Sequence, residues 1–175
     1  MNVTEAVRSR HSIRAFLDKP VPEAILREVL ETAACAASGG NVQPWRIYAV
    51  AGQPLADFKA KMAERLKWFQ HNYEFFGAPA AIFAYLDKRM GPPQWSDMGM
   101  YLQNVMLLLR EKGLDSCAQE CWSIYNAMVR KFVGAPPELM LFCGMAIGYA
   151  DWDAPVNRLV TERAPLDEFA TFVGF

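Results

Sequence analysis

Histidine is nearly absent from this 175-residue chain, which carries only His11 and His71. With so few imidazoles and no G-x-S-x-G, a serine-hydrolase triad has little to be built from. Cysteine is scarce as well. Cys35, Cys117, Cys121 and Cys143 lack the tight paired spacing of a zinc site, so no metal centre is expected. Without a secretory signal a disulfide framework is not expected either, and three of the four read as small buried hydrophobes. No G-x-G-x-x-G follows a strand and no G-x-x-x-x-G-K-[ST] occurs, which removes the Rossmann and P-loop ways of holding a phosphate. An excess of charge is also missing, with 18 Lys and Arg against 19 Asp and Glu. That balance speaks against nucleic acid or an anionic membrane as a partner. The most apolar runs, Met98 to Leu109 and Leu139 to Ala150, are too short for a bilayer core of about 30 Å. The opening MNVTEAVRSR carries an acid early and has no apolar centre, so it does not read as a signal peptide, and a cytoplasmic location is the default.

What is present is apolar bulk. Hydrophobic residues make up 53% of the chain and charged residues 21%, more apolar than a soluble monomer needs, so part of the surface is expected to face another protein. The chain shows no repeat and no linker, and reads as one domain over residues 1–175. Asn2 and Glu5 form a capping-box pattern for a first helix ending near Arg8. Ile25, Leu26, Val29, Leu30, Ala33 and Ala34 lie along one face of a second. WRIYAV reads as a strand, and Phe58, Met62, Leu66 and Phe69 recur at helical spacing from Leu55 to about Phe76. AAIFAYL is a buried strand. Asp97 is expected to cap a helix that is apolar almost all round and ends at Gly113, with Gln103 and Asn104 as buried amides in need of partners. LDSCAQ, a helix from Tyr125 to Val133 and the strand LMLFCGMAIGY follow, before a tail ending in EFATFVGF. Helices and strands intermingle, giving an α/β or α+β class.

Four stretches have chemistry to offer. In RSRHSIRAF, Arg10, Ser12 and Arg14 alternate, so an extended backbone puts two guanidiniums and a hydroxyl on one side. Forked arginine donors match phosphate oxygens, although a solvated basic turn would use the same residues. In SGGNVQPW, Ser38, Gly39 and Gly40 let a flat ligand or a second backbone come close, and Asn41 and Gln43 offer donors and acceptors for a heterocycle edge. A plain helix C-cap and turn, with Trp45 packing, would also account for it. Gln103 and Asn104 are the third stretch. Arg163, in TERAPL, is the fourth, and matters only if folding carries it towards Arg10.

Together RHSIRAF, SGGNVQPW, DMGMYLQNVMLLLREKGLDSCAQ and NRLVTERAPLDEF stand in the order found in the FMN-dependent nitroreductase family. The chain resembles that family over most of its length, most of all its nitrobenzoate reductase-like subgroup. The resemblance implies an α/β/α sandwich around a mixed, mostly antiparallel sheet, in an intertwined homodimer with FMN at the interface and a tail that embraces the partner. It implies an FMN-dependent NAD(P)H oxidoreductase acting on nitroaromatic, quinone or similar conjugated acceptors by ping-pong hydride transfer through flavin N5, with NADH or NADPH as a transient donor. A flavin dehydrogenase or dehalogenase, or a non-catalytic flavin-binding protein of the same fold, are the alternatives. By position, Arg10 and Ser12 match phosphate and ribityl contacts, and Arg14 the basic residue near the pyrimidine edge. His11 matches a contact in the same motif, and Arg163 the second phosphate arginine. Ser38, Gly39, Asn41 and Gln43 match the turn that arrives from the other subunit. Ala118, Gln119 and Glu120 match the segment whose backbone lies near N5. Ala37 stands where the family often has proline, and Thr161 where some members have lysine. The stretch before the central helix is short, so a more open pocket is expected, with Trp68, Phe69, Tyr73, Phe75 and Phe76 as candidates for its wall.

Overall fold

The structure, a computed structural model, describes residues 1–63 and 70–174. The first helix, α1 (Val3–Ser9), starts as its capping box dictates: the Glu5 N–H donates to Asn2 Oδ1 at 2.9 Å and the Asn2 N–H to Glu5 Oε2 at 3.0 Å. Arg10 leaves it in extended backbone. There follow α2 (Glu23–Ala33), β1 (Arg46–Ala51), α3 (Gly52–Ala63), α4 (Gln70–Tyr73), β2 (Ala80–Asp87), α5 (Pro92–Glu111), β3 (Asp115–Gln119), α6 (Asn126–Val133), β4 (Leu139–Gly148) and α7 (Leu166–Phe169).

The four strands form one antiparallel sheet in the order β1-β2-β4-β3. Because strand side chains alternate, each face has its own core. Ile82, Ala84, Leu86, Met145 and Ile147 face α2 and α5. Phe83, Tyr85, Leu141 and Ala146 face α3, α6 and an aromatic cluster around Trp122. The result is the expected helix–sheet–helix sandwich. The outer edge of β3 is covered by the segment after α1, where Ser12 bridges Ser116 in parallel and the Ile13 N–H donates to the Ser116 carbonyl at 3.1 Å. The outer edge of β1 has no strand partner among the described residues.

Three expectations need correction. The central helix begins at Pro92, not at Asp97, because proline is preorganised for a first turn and the Gln94 side chain accepts the Gly91 N–H. Asp97 sits inside the helix and is buried. The helical spacing from Leu55 ends at Tyr73, because Phe75 (φ 52°) and Phe76 (φ 54°) take left-handed backbone; Leu66 and Phe69 lie outside the described residues. α5 is buried along one stripe, Met98, Tyr101, Leu102, Val105 and Leu109, while Met100 and Gln103 on the opposite side are exposed. Asn104 does find a backbone partner, reaching the Ala33 carbonyl at 3.5 Å. No helix among the described residues is long and apolar enough to cross a membrane.

Candidate active site

The alternation read in RSRHSIR is realised. Between Arg10 and Arg14 the chain runs extended along β3, with Ile13 fully buried and Ser12 and Arg14 exposed. Three anchors hold it there. The Ile13 N–H bonds to Ser116, and the Arg14 N–H donates to Asn157 Oδ1 at 2.8 Å. Asn157 Nδ2 in turn donates to the carbonyls of Ala15 at 2.9 Å and Asp151 at 2.7 Å. Beneath this segment, burial pushes the Cys117 thiol up, while the positive charges of Arg14 and Arg10 and a hydrogen bond from Ser12 pull it back. The extended segment thus lays Ser12 and Arg14, both exposed, along β3. His11 is half-buried; on β3, burial raises the Asp115 carboxyl and its ion pair with Arg110 lowers it.

The turn from Ser38 to Gln43 is bare and unusually shaped. Gly40 (φ 59°), Asn41 (φ 57°) and Gln43 (φ 46°) all take left-handed backbone, which costs little for glycine, somewhat more for asparagine and most for glutamine. Such conformations persist where the surroundings over-determine them. Here Ser38 Oγ accepts the Gln43 N–H at 3.1 Å, Gln43 Nε2 donates to Asn41 Oδ1 at 3.2 Å, and Arg46 Nη1 donates to the carbonyls of Gln43 at 3.3 Å and Trp45 at 2.8 Å. The Trp45 ring stacks on Tyr101 with centroids 5.0 Å apart. From α5, buried Asp97 accepts the Gly39 N–H at 3.3 Å. Asp97→Ala leaves that donor without its partner and should cost about 1–3 kcal/mol, seen as a lower thermal midpoint. Asp97→Asn keeps an acceptor and should cost less, and equal losses would show that the contact holds nothing.

At the end of β3, Ala118 and Glu120 are exposed while Gln119 between them is buried. The Gln119 side chain is turned inward, so this segment offers an outside partner its backbone and not that amide. Arg163 lies on an exposed tail, and Nη1 bonds to its own neighbourhood: the Thr161 carbonyl at 3.0 Å, Thr161 Oγ1 at 2.6 Å and the Glu162 carbonyl at 2.9 Å. Within one chain, then, Arg10, His11, Ser12 and Arg14 meet β3 towards Ala118, Gln119 and Glu120. The turn of Ser38, Gly39, Asn41 and Gln43 is tied instead to α5, and Arg163 to its tail. Of the proposed wall, Tyr73, Phe75 and Phe76 are core residues packed around Trp122; Trp68 and Phe69 lie outside the described residues. Asp97, expected as a helix cap, holds Gly39 instead, and Asn157 was not singled out; their partners lie 58 and 143 residues away, and no local pattern marks such contacts.

The nitroreductase family model matches residues 7–149. A curated relative, the 4-nitrobenzoate reductase of Pseudomonas putida, is 30% identical, the match covering 97% of this chain and 94% of the relative. That alignment spans 214 positions against the 175 residues here, so the relative carries residues with no counterpart. Among solved structures, the FMN and NADPH-dependent nitroreductase NfnB from Sphigopyxis sp. strain HMH is 38% identical with a TM-score of 0.95, covering 100% of each chain. The FMN-dependent NfnB from Mycobacterium smegmatis, solved in complex with NADPH, is 26% identical with a TM-score of 0.90 over 97% of each chain.

Proposed function

This chain belongs to the nitroreductase family, and we propose that it is an FMN-dependent NAD(P)H oxidoreductase, one domain over residues 1–175, acting on nitroaromatic, quinone or related conjugated acceptors. The observation that carries the reading is the extended Arg10–Arg14 segment laid beside the exposed end of β3. It carries Arg10, Ser12 and Arg14 in alternation along β3, whose Ala118 and Glu120 are exposed at its end, which suits a flat ligand with an anionic tail. FMN, when bound, supplies hydride transfer from NAD(P)H and on to the acceptor in alternate half-reactions.

The chain's own residues then bind and orient. Arg10 and Ser12 would hold the phosphate and ribityl chain, joined by Arg163 once the tail is in place, where Thr161 already steadies that guanidinium. Arg14 would put positive charge at the pyrimidine edge, favouring the reduced, anionic ring. The peptide groups of Ala118–Glu120 would lie towards N5, with Gln119 contributing backbone only. No side chain is required as an acid or base.

The bare Ser38–Gln43 turn would cover the ring from a second copy. A homodimer is supported by two complementary surfaces. Leu159, Val160, Leu166, Phe169 and Val173 stand between 55% and 83% exposed on the tail. The open edge of β1, with a groove of about 540 Å³ against α2 lined by Val21, Leu26, Leu30 and Ile47, would accept an extended apolar segment of the partner's tail. An enzyme fed by NAD(P)H belongs in the cytoplasm, where free thiols such as Cys35, Cys117, Cys121 and Cys143 are kept reduced.

The test is the visible absorption of the purified protein before and after anaerobic NADH or NADPH. A flavin spectrum that bleaches is expected. Arg10→Ala with Arg163→Ala removes two sets of charge-assisted hydrogen bonds of about 1.5–3 kcal/mol each, so FMN affinity should fall by about 10²–10⁴-fold. A colourless protein that cannot be reconstituted overturns the reading, and unchanged flavin content in the double variant overturns the site.

A further inference from the structure

Gln119 uses both ends of its amide inside the protein. Nε2 donates to the carbonyl oxygen of Asn72 at 2.6 Å, and Oε1 accepts the Trp122 indole N–H at 3.4 Å. The residue is 4% exposed, between two exposed neighbours. Each partner is itself immobilised. Trp122 is fully buried, stacked on Phe75 with centroids 4.5 Å apart and edge-on to Tyr73 at 5.1 Å and Phe83 at 5.4 Å. Asn72 lies in α4, just ahead of the left-handed pair Phe75 and Phe76 that carries the Trp122 stack. The ladder between β3 and β4 ends at the Gln119–Gly144 pair, and Glu120 opens a 3-10 turn. Past that pair, strand pairing no longer sets the tilt of the peptide planes.

We infer that Gln119 is a positioning residue: its amide, clamped between Asn72 and Trp122, fixes the tilt of the Gln119–Glu120 peptide towards the flavin. The inference rests on the flavin reading above. Reacting groups tolerate little displacement, and a shift of about 1 Å can cost about 10²-fold in rate. A buried amide satisfied at both ends holds position better than an apolar side chain of the same volume, because its bonds are directional.

Two substitutions test this on the FMN-loaded protein, with flavin content and thermal midpoint measured beside the midpoint potential of the bound flavin and its anaerobic reduction rate. Gln119→Leu keeps the bulk and removes both bonds. It should retain FMN, yet be reduced about 10–100-fold more slowly, with a shifted flavin potential. Gln119→Glu keeps the acceptor for Trp122 but, when ionised, sets a carboxylate against the Asn72 carbonyl. Burial raises the pKa of such a group, and the protonated acid can donate to Asn72 as the amide does. Potential and rate should therefore return towards wild type as pH falls, a reversal that Gln119→Leu cannot show. Should Gln119→Leu fail to fold, the pH reversal in Gln119→Glu decides. Both variants within twofold of wild type in rate, with unchanged potential at full flavin content, would overturn the inference alone. A wild-type protein that cannot be loaded with FMN would overturn it together with the reading beneath it.

Discussion

A chain ending at Arg158 is expected to fold, to run as a monomer and to carry no FMN. Residues 159–174 are exposed almost throughout, and the Arg163 guanidinium bonds within the segment, to Thr161 and Glu162. Asn157, which anchors the Arg10–Arg14 segment, is retained. What is lost is a row of large apolar side chains, each contributing roughly 1.5–3 kcal/mol when fully buried. Three of them suffice to raise the dimer dissociation constant by about 10³-fold. Arg163 goes with them. Sedimentation or light scattering reads the oligomeric state, and absorption the flavin. A truncated protein that stays dimeric would mean that the pairing is carried elsewhere, with the open face of α5, where Met100 and Gln103 are exposed, as the surface to examine next.

Gly144→Ala is expected to be the most damaging single methyl group that can be added near the site. A Cβ at Gly144 would lie 2.3 Å from Cδ1 of Trp122, 2.9 Å from Cγ and 3.0 Å from Nε1. Those atoms belong to a rigid ring enclosed by Phe58, Tyr73, Phe75 and Phe83, so the neighbour cannot swing aside. Overpacking of this kind costs about 1–3 kcal/mol or more, a fall in thermal midpoint of several degrees for a chain of this size. A displaced indole also loses its bond to Gln119. Since the two residues share one volume, Gly144→Ala combined with Trp122→Phe should recover part of the loss. Full additivity, or an unchanged midpoint in the single variant, would show that the ring is less confined than its packing implies.

These residues also mark where the sequence was readable. The apolar runs of β2 and β4, buried on both faces, the stripe on α2 and the capping box of α1 were legible because each is a local pattern. The extended Arg10–Arg14 segment was legible for the same reason, since burying Ile13 obliges Ser12 and Arg14 to point outward. The start of α5 was misplaced because Asp97 has the chemistry of a cap, and only the fold shows its carboxylate taken by Gly39. The inward turn of Gln119 could not be read at all. A glutamine next to two exposed residues looks exposed until Asn72 and Trp122 are brought to it. Composition gave a surplus of apolar residues, but not that so many of the large exposed ones would gather on the tail after Arg158.

The open edge of β1 bears on how the protein comes into being. A strand with unpaired peptide groups is a template for whichever extended chain arrives first. Arg46, at the head of β1, has its guanidinium drawn back onto the Gln43 and Trp45 carbonyls. In the proposed dimer that edge depends on the partner's tail for protection. On that proposal each newly made subunit is vulnerable for as long as it waits for a second, an interval set by concentration and not by how fast either one folds. Slow synthesis at low abundance lengthens the wait, whereas two chains made side by side shorten it.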